Sequence, residues 1–147
     1  MNVKAVIDTN VLVAAFWTKN RMSPTARILD AILAHSFTPL YSPAIIAEYR
    51  EVLARSQFGF DAESIEQLLK CIVTTGVLVD PIDSDESFPD PDDKVFYCVA
   101  LAKSDEDAKL VSGNARHYPQ SSFVVTPAEF CELIGIRVCA KMCRAPH

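Results

Sequence analysis

Asp8, Glu48, Asp93 and Asn114 carry the side chains of this sequence best suited to joint chemistry. Asp8 follows a short apolar run at residues 3–7, Glu48 falls inside a helical pattern, Asp93 opens another, and Asn114 follows a second apolar run. Carboxylate and amide oxygens with little histidine to accompany them make a hard-cation site, suited to Mg²⁺ or Mn²⁺ rather than Zn²⁺.

The elements that must position these side chains are legible in the pattern. Residues 3–7 form a strand-like run broken by Asp8-Thr9-Asn10, and a helix follows over residues 11–16. Ser23-Pro24, Ser42-Pro43, Asp90-Pro91 and Thr126-Pro127 repeat one signal. A side-chain acceptor at the N-cap precedes proline at the first helical position, where no amide donor is required. Ile65, Leu68, Leu69 and Ile72 form one stripe of a further helix over about residues 61–74. Extended runs at residues 37–41, 77–79, 109–112 and 123–125 lie between these helices. Strands alternating with helices predict an α/β domain whose central, mostly parallel sheet of four to five strands is covered by helices on both faces. Ligands bind such sheets beyond the strands' carboxyl ends, where Asp8 and Asn114 fall.

At 147 residues, half of them hydrophobic, the chain is long enough for one well-buried domain and too short for two. No segment reads as a membrane span or signal peptide, and cysteines at 71, 98, 131, 139 and 143 show no framework spacing in the body of the chain. Reduced thiols in a cytoplasm are the expectation. A net charge of −5 gives no general basic footprint for nucleic acid. The charge is uneven, however: Asp80, Asp83, Asp85, Glu86, Asp90, Asp92 and Asp93 crowd one stretch, whereas the tail carries Arg137, Lys141 and Arg144 and no acid. A divalent cation would turn a local excess of carboxylates into a phosphate-attracting site.

Each candidate has a plainer role beside it. Asp8 is either a ligand or the N-cap of the following helix, with Thr9 and Asn10 offering alternative caps. Ile45, Ile46, Tyr49, Val52 and Leu53 set the buried stripe of the third helix; Glu48 falls about 40° outside it and Glu51 about 100°, which favours Glu48. The alternative for Glu48 is a solvated flank residue paired with an arginine of its own helix. Asp93 shares a face with Phe96, Tyr97 and Ala100, and the helix N-terminus would keep it ionised. Its alternative is a capping box that reaches back to Asp90, with Asp90 structural and Asp92 exposed. Ser112-Gly113-Asn114 reads as a turn whose amide side chain can hold a water or a phosphate oxygen. His117 reads as a surface or substrate-edge residue, and Cys139, Cys143 and His147 lack the spacing of a zinc knuckle.

In order, Val6-Ile7-Asp8-Thr9-Asn10-Val11-Leu12, Ser42-Pro43-x4-Glu48-Tyr49-x2-Val52-Leu53, Asp90-Pro91-x-Asp93-x2-Phe96-x3-Ala100 and Leu110-Val111-Ser112-Gly113-Asn114 resemble PIN-domain ribonucleases. The similarity covers about residues 3–134. It is nearest to the VapC-like toxin branch, whose chains tend to finish with a segment like Val124-Val125-Thr126-Pro127-Ala128-Glu129-Phe130. The resemblance implies a PIN-like domain over residues 1–135 followed by a basic tail at 136–147. It further implies a metal-dependent endoribonuclease that leaves 5′-phosphate and 3′-hydroxyl ends. Asp8, Glu48 and Asp93 would hold Mg²⁺ or Mn²⁺, and Asn114 would complete the catalytic set. Asn10, Ser112 and Arg116 are the candidates for contact with the RNA substrate. Asn114 stands where many such domains carry aspartate, which removes a charge from any second metal position. A small antitoxin protein and a homodimer are the partners this branch implies. A non-catalytic RNA- or protein-binding module with a weak metal site is the alternative. A haloacid-dehalogenase-type phosphatase would want Asp-x-Asp where this chain has Asp8-Thr9-Asn10, and a phosphoaspartate receiver lacks its acidic pair.

Overall fold

The order of elements follows the sequence signals closely. In this computed structural model, which describes residues 3–82, 88, 91–119 and 121–136, the strands are β1 (Lys4–Ile7), β2 (Thr38–Tyr41), β3 (Val77–Leu78), β4 (Lys109–Val111) and β5 (Val124–Val125). The helices are α1 (Thr9–Trp17), α2 (Pro24–Leu33), α3 (Pro43–Leu53), α4 (Ala62–Thr75), α5 (Pro91–Ala102) and α6 (Pro127–Leu133). The expected α/β sheet is present, with five strands in the order β3-β2-β1-β4-β5 and all pairings parallel. Asp90, the side chains of Asp92 and His117, most of the acidic stretch after Pro81, and the tail with Cys139, Cys143 and His147 lie outside the described residues.

Successive residues of a strand point to opposite faces, and Ala5, Val6 and Ile7 of β1 and Leu110 and Val111 of β4 are all buried. Both faces of the sheet centre are therefore covered. Helix α5 packs on β1, β2 and β4, while α1 to α4 pack on one another and α6 docks on α2. The proline signals mark their helices as expected: the Ser23, Ser42 and Thr126 side chains accept amide bonds from Ala26, Ile45 and Glu129, and the Glu129 side chain returns to Thr126 in a capping box. Gly76 ends α4 where a Cβ would strike the Pro39 and Ile72 carbonyl oxygens, so the chain enters β3 against β2 only with hydrogen at that position.

One local expectation is corrected. The first helix begins at Thr9 rather than Val11, so Thr9 and Asn10 are helical and neither caps it. Asp8 takes the N-cap position with extended backbone, yet its side chain makes no capping bond. The carboxylate is thus not consumed by the helix it precedes.

Candidate active site

The register of β1 and β4 builds the centre of the site. Ile7 lies opposite Val111, and the Asp8 amide continues the ladder by donating to the Val111 carbonyl oxygen at 2.9 Å. Asp8 and Ser112 are therefore the first residues past two adjacent parallel strands, at the same level on the sheet's carboxyl edge. Their side chains meet: Ser112 Oγ donates to Asp8 Oδ2 at 2.8 Å. The Tyr118 hydroxyl donates to the same oxygen at 2.8 Å, and Asn10 Nδ2 approaches it at 3.3 Å.

Asp8 is only 4 % exposed, and its donors are all neutral. Among the described residues, no lysine or arginine reaches it and no donor reaches Oδ1. Among the described residues, hydroxyls and an amide thus replace the water that burial removes from this carboxylate, and no cationic side chain joins them. One oxygen is saturated; the other is left for a ligand.

The Ser112-Gly113-Asn114 turn is locked to this carboxylate. Asn114 N donates to Ser112 Oγ at 2.9 Å, and Gly113 N donates to Asn10 Oδ1 at 3.1 Å. Asn10 therefore ties the first turn of α1 to the turn after β4. Ser112 is wholly buried, so its hydroxyl acts on Asp8 rather than at the surface, while the Asn114 side chain is exposed. Arg116 is also exposed, on a 3₁₀ turn at Ala115–His117, and lines a cleft of about 490 Å³ with Tyr118, Pro119 and Ser121.

Asp93, at the third position of α5, is half-buried. Its charge and that of Asp8 both act on Tyr118. Burial first, then Asp8, then Asp93, drive the Tyr118 hydroxyl far above the ordinary tyrosine range, so it remains a proton donor. Tyr49 is raised likewise, first by burial and then by Asp8, and its hydroxyl donates to the Ile7 carbonyl oxygen. Its ring lies 6.0 Å from that of Phe96, one turn after Asp93. Tyr49 thus braces the end of β1 between α3 and α5.

Glu48 precedes this brace and is half-buried on the flank of α3. The wheel argument against Glu51 holds: Glu51 is exposed, and its bidentate pair with Arg55 at 2.9 and 3.1 Å holds its carboxyl below the usual range. Among the described residues, no three His, Cys, Asp or Glu side chains are close enough to form a ready-made ligand cage. The donors available around Asp8 are oxygens, and Mg²⁺ is commonly held by one or two carboxylates while retaining waters. That chemistry fits the Asp8 side of the cleft.

Sequence reasoning read Tyr49 only as part of the buried stripe of the third helix and did not single out Tyr118. A signal existed for Tyr49 alone, because a tyrosine in a buried helical stripe needs an acceptor for its hydroxyl.

The comparisons with known proteins agree with this architecture. No curated protein matches the chain. The family model described as PIN domain matches residues 4–116, which include Asp8, Glu48, Asp93 and Asn114. This chain, with its parallel sheet and its buried aspartate at the carboxyl edge, belongs to the PIN domain family, whose fold is of nuclease type.

Proposed function

We propose that the protein is a metal-dependent endoribonuclease that hydrolyses RNA phosphodiester bonds at the carboxyl edge of its sheet. The observation that carries this reading is the buried Asp8 carboxylate, held by neutral donors with no lysine or arginine beside it among the described residues. Asp8, Asp93 and Glu48 would hold Mg²⁺ or Mn²⁺, which when bound supplies the Lewis acidity that activates the attacking water and offsets charge on the phosphorane.

The chain's own groups do the remaining work. Ser112 and Tyr118 fix the plane of the Asp8 carboxylate, and Asn10 holds the turn after β4 against it. The exposed Asn114 amide would contact a phosphate oxygen, and Arg116 would grip the strand in the adjoining cleft. The finer reading makes the chain a homodimeric toxin of the VapC-like kind. A small antitoxin with a basic, amphipathic segment would then cover the acidic cleft.

Incubating the protein with a mixed RNA pool, with Mn²⁺ or with chelator, tests the activity. Cleavage is expected with Mn²⁺ alone and is expected to vanish in folded Asp8→Asn and Asp93→Asn variants. RNA binding that persists in chelator, with no cleavage under either condition, favours the non-catalytic module instead.

A further inference from the structure

Tyr118 is anchored more firmly than a core tyrosine requires. It is 5 % exposed, its ring lies parallel to Tyr97 at 6.4 Å and edge-on to Phe88 at 6.2 Å, and Tyr97 in turn packs on Phe123 at 5.2 Å. This aromatic wall draws on α5 and on the chain leading into β5, so the hydroxyl has little freedom to leave Asp8. The wall aims it at the oxygen that Ser112 already occupies, rather than at the opposite oxygen of the same carboxylate.

Two strong donors on one carboxylate oxygen break the equivalence of the pair. Oδ2 has its lone pairs engaged by Ser112 and Tyr118, with Asn10 further out, whereas Oδ1 receives no donor from the described residues. Rotation of the carboxylate would break both 2.8 Å bonds at once. A cation arriving at the cleft therefore meets Oδ1 alone.

We infer that Tyr118 is a positioning residue, which together with Ser112 commits Asp8 to bind the cation through Oδ1 as a single-oxygen ligand. The inference rests on the ribonuclease reading, because it assigns Tyr118 a task only if a cation binds. Donors behind a ligating carboxylate orient it, and their loss typically weakens metal binding by about 10- to 100-fold.

Mn²⁺ alone is the probe, its binding followed by electron paramagnetic resonance without RNA and its effect on cleavage followed separately. Tyr118→Phe keeps the ring and removes only the hydroxyl. It is expected to raise the Mn²⁺ Kd about tenfold while leaving KM for RNA unchanged, with cleavage recovering as Mn²⁺ is raised. Ser112→Ala removes the other short donor from a different element and is expected to show the same split, which keeps the test open should the first variant fold poorly. Wild-type Mn²⁺ affinity in folded Tyr118→Phe or folded Ser112→Ala would overturn the inference and leave the ribonuclease reading standing. Absence of Mn²⁺ binding by the wild-type protein would overturn both.

Discussion

The two edges of the sheet treat their carboxylates in opposite ways. At the amino edge Glu106 pairs with Lys4 and Lys103, each at 3.4 Å, and Asp107 pairs with Lys109 at 3.2 Å, around an open cleft of about 640 Å³. At the carboxyl edge Asp8 is buried and, among the described residues, its side chain is held by hydroxyls and an amide. Acid at the first edge has its counter-charge built into the protein, whereas Asp8 at the second is withdrawn from water and, among the described residues, meets no cationic side chain. Counting acids would not separate these regions; their partners do. On the proposed reading, a site for an external cation is marked by the lack of a protein cation among the described residues, and neutral hydrogen bonds offset part of the cost of burying Asp8.

The largest effect that sharpens this contrast is expected at Asp8. Asp8→Asn should reduce RNA cleavage on the order of a hundredfold to a thousandfold, the scale of losing one transition-state electrostatic group. Thermal stability in chelator should hold or rise, because the variant removes a buried unpaired charge. A melting curve in EDTA beside a cleavage time course checks both halves. A variant that melts early and cleaves normally would erase the distinction between the edges.

Next in size is the brace beneath the site. Tyr49→Phe leaves the buried Ile7 carbonyl without its hydroxyl donor and should destabilise the fold by about 1–3 kcal/mol, measured by urea denaturation. Stability should also fall at alkaline pH. Burial pushes the Cys131 thiol from 9.0 to about 11, and Tyr49 is raised too. The folded state therefore keeps protons that the unfolded state has released, so the contribution is whole below about pH 9 and is lost as pH climbs towards about 11. Cys131→Ala should flatten that decline. The lowered carboxyls of Glu51, Glu66 and Glu106 act in the opposite direction, losing their contribution as pH falls below the ordinary 4.5, and water screens all three at the surface.

How much of this was legible in the sequence depended on range. The starts of α2, α3 and α6 were visible because a capping side chain and a proline act within four residues, and the Glu48 over Glu51 preference followed from one helix's own stripe. Asp8 was visible as a polar break after an apolar strand. Its freedom from capping was not, because whether the carboxylate turns towards α1 or towards β4 depends on the Ile7 to Val111 register, set more than a hundred residues away. Tyr118 was hidden for the same reason. A tyrosine among His117, Pro119 and Phe123 has no periodicity, and its task exists only after a 3₁₀ turn brings the chain back over Asp8. Glu48 and Asp93 were readable as half-buried helix residues, but how far each lies from Asp8 depends on how α3 and α5 settle on the sheet, which no local pattern encodes.

The smallest expected effect is the control that gives the comparison its force. Glu106→Gln breaks two exposed pairs, with Lys4 and Lys103, at the edge remote from the site. Its carboxyl is held low mainly by bonds to Lys4 and Lys103, yet water screens that attraction and solvates all three groups once it is gone. Neither the melting temperature nor the Mn²⁺-dependent cleavage rate should change measurably, and raising the salt concentration should mute the variant's effect further. If Glu106→Gln instead lowered cleavage as Asp8→Asn is expected to, carboxylates paired within the protein would matter as much as the unpaired one, and the difference between the two edges would not locate the chemistry.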